Sequence, residues 1–297
     1  MNGFVFVDKP KDISSFLLCA KVRRIFGEKK SGHTGTLDPM ATGAMVVALS
    51  AATRFIDLLP ETGKAYEASF LFGKETDTLD ITGNVLSVCD VSVKKEEVEA
   101  ALEKFKGETL QLPPMYSALK KDGVRLYELA RKGESIEREK RKINITDLRL
   151  LSYDEKSHEG KLYVACSAGT YVRSLIADIG EALSTKAVMT SLRRVKANAA
   201  SIERCFTLEE LEKLKETDRL FEAVVPIEDV LSFEGITVTE NQAKRFSNGG
   251  ELFLERLNKK TKDKGLYSVF SPENDFLGVG ISDSKAGLLR PKKIMSK

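Results

Sequence analysis

One stretch, SGHTGTLDPMATG from Ser31 to Gly43, limits what this chain can become more than any other. Gly32, Gly35, Gly43 and Pro39 break it for a helix or a strand, and its Ser, Thr, His and Asp side chains are too polar for a core. It has to be a shaped loop. Ordered elements on both sides must hold such a loop, and loops held in this way present particular side chains.

The flanks supply those elements. Met1 to Val7 is apolar enough for a strand. Ser14 to Phe26 reads as a helix, with Phe16, Ala20, Val22 and Ile25 near helical spacing and Gly27 just past its end. Beyond the loop, Ala44 to Leu49 reads as a buried strand, Thr53 to Leu59 as a short helix and Tyr66 to Phe72 as a strand. Val93 to Lys106 is amphipathic, with Val98, Ala101, Leu102 and Phe105 on one face. A short helix is expected from Gly123 to Arg131, a strand from Leu162 to Ala168 and a helix from Tyr171 to Leu183. Thr207 and Glu210 form a capping box that opens a helix to about Lys215.

After VVPIEDV the texture changes to short apolar runs split by SNGG, NKKTKDKG, SPEND and DSKAG, the pattern of a small all-β module. With 297 residues the chain has room for two domains, expected at 1–225 and 226–297.

No apolar run approaches the roughly 20 residues needed to cross a bilayer. The N-terminus does not resemble a signal peptide, so a cytoplasmic location is expected. Cys19, Cys89, Cys166 and Cys205 are far apart in apolar surroundings, which suggests reduced, buried thiols. There is no C-x-x-C, and His33 and His158 are the only histidines, so a zinc site has little to build on and catalysis without a bound transition metal is expected.

The formal net charge of +3 says little about partners, but its distribution says more. Between Ala118 and Ile143 nine bases stand against five acids. A solvated, salt-bridged helical face is the bland reading of that excess.

Asp38 is the carboxylate best placed for chemistry, because Pro39 stiffens the backbone after it, and a side chain on a rigid turn is preorganised. An Asx-turn is its ordinary alternative. In GTYVRSL, Tyr171 and Arg173 fall at a strand-to-helix junction, where an Arg can orient a carboxylate and keep it ionised. Tyr66 in KAYEASF offers a stacking ring or merely a strand aromatic. Asp77 and Asp80, in GKETDTLDITG, belong either to a hairpin turn or to a second carboxylate near Arg173. SLRRVK, Ser191 to Lys196, reads equally as a basic strand edge or a phosphate-contacting patch.

Taken together, GHTGTLDPMATG, KAYEASF, TDTLDITG, PPMYSALKKDGVRLYELARKG, GTYVRSLIADIG and SLRR resemble the TruB family of tRNA pseudouridine synthases in content and order, from about Gly3 to Lys196. The tail from about Pro226 resembles the small RNA-binding PUA domain. One segment departs from the family pattern: KPKDISS has Asp12 where a Gly is usual and Ser14 where a Thr is usual, and a Gly there can serve a positive φ.

The resemblance implies a mixed α/β (α+β) fold, with a central, mostly antiparallel sheet flanked by helices and a small β-rich PUA-like C-terminal domain. It also implies an isomerase that converts the uridine at position 55 of the tRNA T-loop to pseudouridine by base flipping. Asp38 would be the nucleophile, Arg173 its ion-pair partner, and Tyr66 the ring stacked on the base and a possible proton acceptor. His33, Asp80, Tyr171 and Leu192 would complete substrate binding.

Lys9, Lys120, Lys140, Arg141, Lys142, Arg193 and Arg194 would be the candidates for the RNA backbone, and the segment from about 113 to 142 an RNA-gripping insertion. No cofactor or metal is expected. The expected partner is the T-arm of tRNA, bound by a monomer. A guide-RNA-dependent synthase working inside a ribonucleoprotein, and a non-catalytic tRNA-folding factor, are the alternatives.

Overall fold

The computed structural model describes residues 1–60, 62–117, 119–121, 123–130, 132–134 and 136–295. No helix among them is long and apolar enough to cross a membrane. The chain opens with β1 (Gly3–Lys9), α1 (Ser15–Ile25), β2 (Ser31–His33) and β3 (Thr42–Leu49), followed by β4 (Lys64–Phe72). A hairpin of β5 (Lys74–Thr76) and β6 (Val85–Val88), helix α2 (Lys95–Glu103) and strand β7 (Gly107–Gln111) come next.

The basic segment holds β8 (Lys120–Lys121), β9 (Val124–Arg125) and α3 (Leu126–Ala130). The body is completed by β10 (Arg141–Asp154), β11 (Glu159–Cys166), α4 (Val172–Ala182), β12 (Ala187–Ala197), β13 (Ala200–Ser201) and α5 (Leu208–Glu216).

One nine-stranded sheet runs β1-β3-β12-β4-β11-β10-β7, with β2 added to β3 and β13 to β12. The pairing is antiparallel except between β3 and β12, which are parallel at Arg193↔Thr42 and Arg194↔Gly43. The expected mixed fold with a mostly antiparallel sheet is therefore present. β1 is buried on both faces, as its unbroken apolar run requires. Val5 and Val7 join a core built with α1, α2 and α4, while Phe4 and Phe6 face a second core on the other side.

α1 forms because Leu18, Cys19, Val22 and Ile25 make one buried stripe and Ser14 caps the helix by accepting from the Leu17 amide at 3.1 Å. Asp12 has φ 66°, so the position of the usual Gly keeps its left-handed backbone, which Asp tolerates better than most residues.

After α6 (Ile227–Leu231) a separate five-stranded sheet is built from β14 (Glu234–Thr237), β15 (Leu252–Phe253), β16 (Leu266–Phe270), β17 (Phe276–Asp283) and β18 (Leu288–Ile294). The module is not all-β. Helix α7 (Glu240–Ser247) packs on the sheet through Ala243 and Phe246, and a Thr239–Gln242 capping box starts it.

Nor does the tail stand apart. Ile227, Val230 and Leu231 of α6 and Val279 of β17 share the second core with Phe4, Phe6 and Phe55. The Phe55 and Phe276 rings lie 5.6 Å apart, and Lys293 pairs with Asp57 at 3.1 Å. Each large apolar side chain closed off in this way contributes about 1.5–3 kcal/mol. Three further expectations change. β12 is an interior strand where SLRRVK read as a basic strand edge or a phosphate-contacting patch, Cys89 is exposed, and the ends of the Gly-rich loop belong to β2 and β3.

Candidate active site

The loop that carries Asp38 is held from outside. Ser15 at the start of α1 donates through Oγ to the Leu37 carbonyl at 2.9 Å and accepts from the Leu37 amide at 2.8 Å. The Asp12 amide donates to the Pro39 carbonyl at 2.8 Å, and the Ala41 amide closes a turn onto the Asp38 carbonyl at 3.0 Å. Gly43, at φ 106°, lies so close to the Arg194 backbone that a Cβ would come within 2.2 Å of the Arg194 carbonyl oxygen. Only glycine lets β3 begin there.

Two buried bases complete the frame, and neither faces solvent. Lys9, fully buried, donates from Nζ to the carbonyls of Pro10 at 3.0 Å, Pro39 at 3.1 Å and Ala41 at 2.6 Å. Burial brings its pKa down to about 8 against the opposing pull of Asp12 and Asp38. Arg194, 1 % exposed, donates from Nε to the Ala44 carbonyl at 2.7 Å and from Nη2 to the Gly35 carbonyl at 3.2 Å. Both were expected to touch the RNA backbone. The structure uses both instead to shape the loop, because β1 and β12 point these side chains inward.

Arg193, on the opposite face of β12, is half exposed, but Asp8 neutralises it through contacts of 2.7 and 3.2 Å. Lys140, Arg141 and Lys142 are exposed, and no ion pair joins them to a carboxylate among the described residues. The Lys120 side chain lies outside the described residues.

At the centre, Arg173 in the first turn of α4 reaches Asp38 Oδ2 from Nη2 at 3.0 Å and Asp80 Oδ2 from Nη1 at 3.5 Å. It also donates to the Thr78 carbonyl at 2.8 Å and the Tyr116 carbonyl at 2.9 Å, so a side chain only 5 % exposed is fully engaged. One planar guanidinium thus ties the Asp38 loop, the β5–β6 turn and the root of the 113–142 segment together. Asp80 is fixed in turn by the Thr82 amide and the Thr78 hydroxyl, both at 3.0 Å.

Asp38 keeps about a third of its side chain exposed, so one carboxylate edge stays open. Burial pushes its pKa above the ordinary value. Arg173 pulls it back, and the charge of Asp80 pushes it up again. The Arg therefore only partly offsets burial, where the sequence suggested simple stabilisation of the charged form.

Tyr66 on β4 stands across from Arg194 in the β4–β12 register, with Leu192 across from Ala68 on the same face. Burial raises the Tyr66 phenol to about 12, with Arg194 as the nearest opposing charge. His33, at the end of β2, has its pKa lowered by burial and next by Arg194, and its Nδ1 is buried without a hydrogen-bond partner. Tyr171 precedes α4 and is locked by Gln111, whose Oε1 accepts from the Tyr171 amide at 2.8 Å and whose Nε2 donates to its carbonyl at 3.0 Å.

Asp38, Arg173 and Asp80 are thus in direct contact. Tyr66 and Tyr171 both respond to the Asp38 charge. Gln111 lies outside the motifs, and Ser15 and Thr78 lie inside them without a role of their own, so only their partners explain all three.

Comparison with known proteins gives the chain its family. Residues 23–172 match the family model described as TruB family pseudouridylate synthase, N-terminal domain. Residues 173–232 match the tRNA pseudouridylate synthase B C-terminal domain, and residues 235–295 match Pseudouridine synthase II TruB, C-terminal. The chain is 42% identical over 286 residues to tRNA pseudouridine synthase B of Clostridium novyi, covering 96% of this chain and 97% of the relative. It is 37% identical over 300 residues to the Caulobacter vibrioides protein of that name, covering 99% and 96%.

A chain in the crystal structure of a Cbf5-Nop10-Gar1 complex superposes with a TM-score of 0.73 at 24% identity, covering 99% of this chain and 85% of that one, which is a likeness of fold. With its buried arginine spanning two carboxylates and the family match running almost end to end, this chain belongs to the TruB family of tRNA pseudouridine synthases and is an isomerase.

Proposed function

We propose that the chain converts the uridine at position 55 of the tRNA T-loop to pseudouridine, with Asp38 as the nucleophile. The observation that carries this reading is the Asp38–Arg173 pair at 3.0 Å, in which one partner is completely enclosed and the other keeps an open edge on a pinned loop. The isomerisation breaks the N1–C1′ bond, turns the uracil and forms C5–C1′, with the C5 proton lost and N1 protonated. Atoms and electrons are conserved, so a carboxylate suffices, whether it attacks sugar or base or assists loss of the base as a glycal.

The target base has to leave its stack to reach Asp38, at a cost of about a few kcal/mol. Tyr66, Tyr171 and Leu192 line the place where it would come to rest, and His33 would fill the space it leaves. A Tyr66 phenol near 12 is protonated at neutral pH. It therefore stacks and donates in the resting enzyme, and acts as a base only if substrate binding lowers its pKa.

The test is release of tritium from C5-labelled uridine at position 55 of tRNA. Asp38→Asn is expected to release none while binding tRNA within about tenfold of the parent, since phosphate contacts supply most of the affinity. Measurable release by that variant, or release from another position, ends the reading. Because burial raises the Asp38 pKa, the ionised nucleophile is lost as pH falls through that raised value. The acid limb of kcat/KM should accordingly lie above the ordinary Asp range.

A further inference from the structure

Helix α1 has one face that the fold does not use. Leu18, Cys19, Val22 and Ile25 point into the core, while Phe16, 80 % exposed, and Leu17, 44 % exposed, stand in solvent beside exposed Lys21, Arg23 and Arg24. The helix carries no acidic residue, and none of these three bases is within ion-pair distance of a carboxylate among the described residues. Helix α5, packed beside it, mixes Glu209, Glu210, Glu212 and Glu216 with Lys213 and Lys215, so the surplus of positive charge belongs to the α1 face alone.

This face is rigidly joined to the chemistry. Ser15, adjacent to Phe16, makes both hydrogen bonds to Leu37, the residue before Asp38, and Ser31 donates to the Cys19 carbonyl at 3.1 Å. Phe16 is thus one residue along the chain from the side chain that pins the loop presenting Asp38.

An exposed aromatic ring with unpaired cations further along the same solvent-facing helix surface suits an unstacked nucleotide: the ring takes a base face and the cations take phosphates. A Phe left in solvent adds nothing to the core, and a polar residue would keep α1 equally helical.

We infer that the outward face of α1 (Phe16, Lys21 and Arg24) is a second RNA-contact surface, which stacks a base next to the target nucleotide on Phe16 and neutralises its flanking phosphates with Lys21 and Arg24. The inference rests on the RNA substrate of the proposed function. It places that contact on the catalytic body, apart from the 113–142 insertion and the C-terminal module.

The experiment measures the dissociation constant for a full-length tRNA transcript at several salt concentrations, together with turnover at saturating tRNA, for the parent, Phe16→Ala and Lys21→Gln/Arg24→Gln. Phe16→Ala should weaken binding about tenfold with saturating turnover retained. The double variant should reduce the slope of log affinity against log salt by about 1.5. Thermal midpoints should not move, because these side chains support no core.

Unchanged affinity and slope in both variants overturn the inference. So does a loss of saturating turnover at unchanged affinity, since the face would then be acting through Ser15 on the catalytic loop. Unchanged tRNA binding, with loss of binding to phosphatidylserine vesicles that the parent shows, assigns the face to a membrane surface instead. If the parent binds tRNA but makes no pseudouridine, the proposed function fails while the binding measurement still decides this surface.

Discussion

The Asp38 loop and the 113–142 segment are both rich in Gly, Pro and polar side chains, yet they are held in opposite ways. Every major tether of the loop comes from a distant element: Lys9 in β1, Ser15 in α1 and Arg194 in β12. In the insertion the described bonds stay local, such as Leu126 to the Leu119 carbonyl and Tyr127 to the Ser117 carbonyl, or lie at its root, where Arg138 donates to the Pro113 carbonyl. Arg173 reaches across only at Tyr116. Basic residues follow the same division. Around the loop, Lys9 and Arg194 are buried and shape backbone, whereas at the base of the insertion Lys140, Arg141 and Lys142 are exposed to solvent.

The sharpest way to break this contrast is at the residue that touches both regions. Arg173→Lys leaves a flexible ammonium that cannot span Asp38, Asp80 and two carbonyls at once. Turnover should fall by about a hundredfold or more, as expected for a misplaced reacting group, with tRNA affinity within a few-fold. Near-normal turnover would place Arg173 outside the chemistry.

Next in size is Lys9→Met, which keeps the length but leaves three carbonyls without their donor, at about 1–3 kcal/mol for each group left dry. The thermal midpoint should drop by several degrees, and turnover should fall with it. The pH dependence gives a second reading. A folded pKa of about 8 against an unfolded value near 10.4 means that the unfolded chain holds the extra proton between those limits. The Lys9 contribution to stability therefore rises with pH across that window, and the Met variant should lack the rise. An unaltered melting curve would show that the loop holds its own shape.

The smallest effect belongs to the insertion. Replacing Lys140, Arg141 and Lys142 by Gln should weaken tRNA binding about tenfold at low salt and flatten the salt slope by about 2, with no change in thermal midpoint. An unchanged slope would make these bases an ordinary solvated face.

Much of this was legible in the sequence where local pattern and chemistry coincide. α1 was legible as a helix, although the apolar spacing read for it included Phe16, which faces solvent; the Thr207 capping box and the Asp38 turn follow from local rules, and Tyr66, Arg173 and Asp80 from motif content. What local pattern could not carry is direction across a sheet. SLRRVK contains two adjacent arginines of equal chemistry. Only the pairing of β12 with both β3 and β4 sends Arg194 inward to Gly35 and Arg193 outward to Asp8. Lys9 was similarly obscured, because a lysine at a strand end reads as solvated until Pro39 and Ala41 are seen to turn their carbonyls toward it. Helix α7 was hidden by its brevity, since eight residues give too little apolar spacing to stand out among turn signals.

The core shared by Phe4, Phe6, Phe55 and Val279 also sets an order of events during synthesis. β1 precedes α6 and β17 by about two hundred residues, so part of the cover of its Phe4 and Phe6 face is made well after Val46, Ala48, Phe55 and Leu59 have covered the rest. Until then the nascent body carries an open apolar face beside a sheet that is otherwise ready to form, which is the kind of surface that chaperones recognise. Loss of α6 and the strands after it would leave that part of the face uncovered, so a chain truncated before Ile227 is expected to aggregate more readily than the full one.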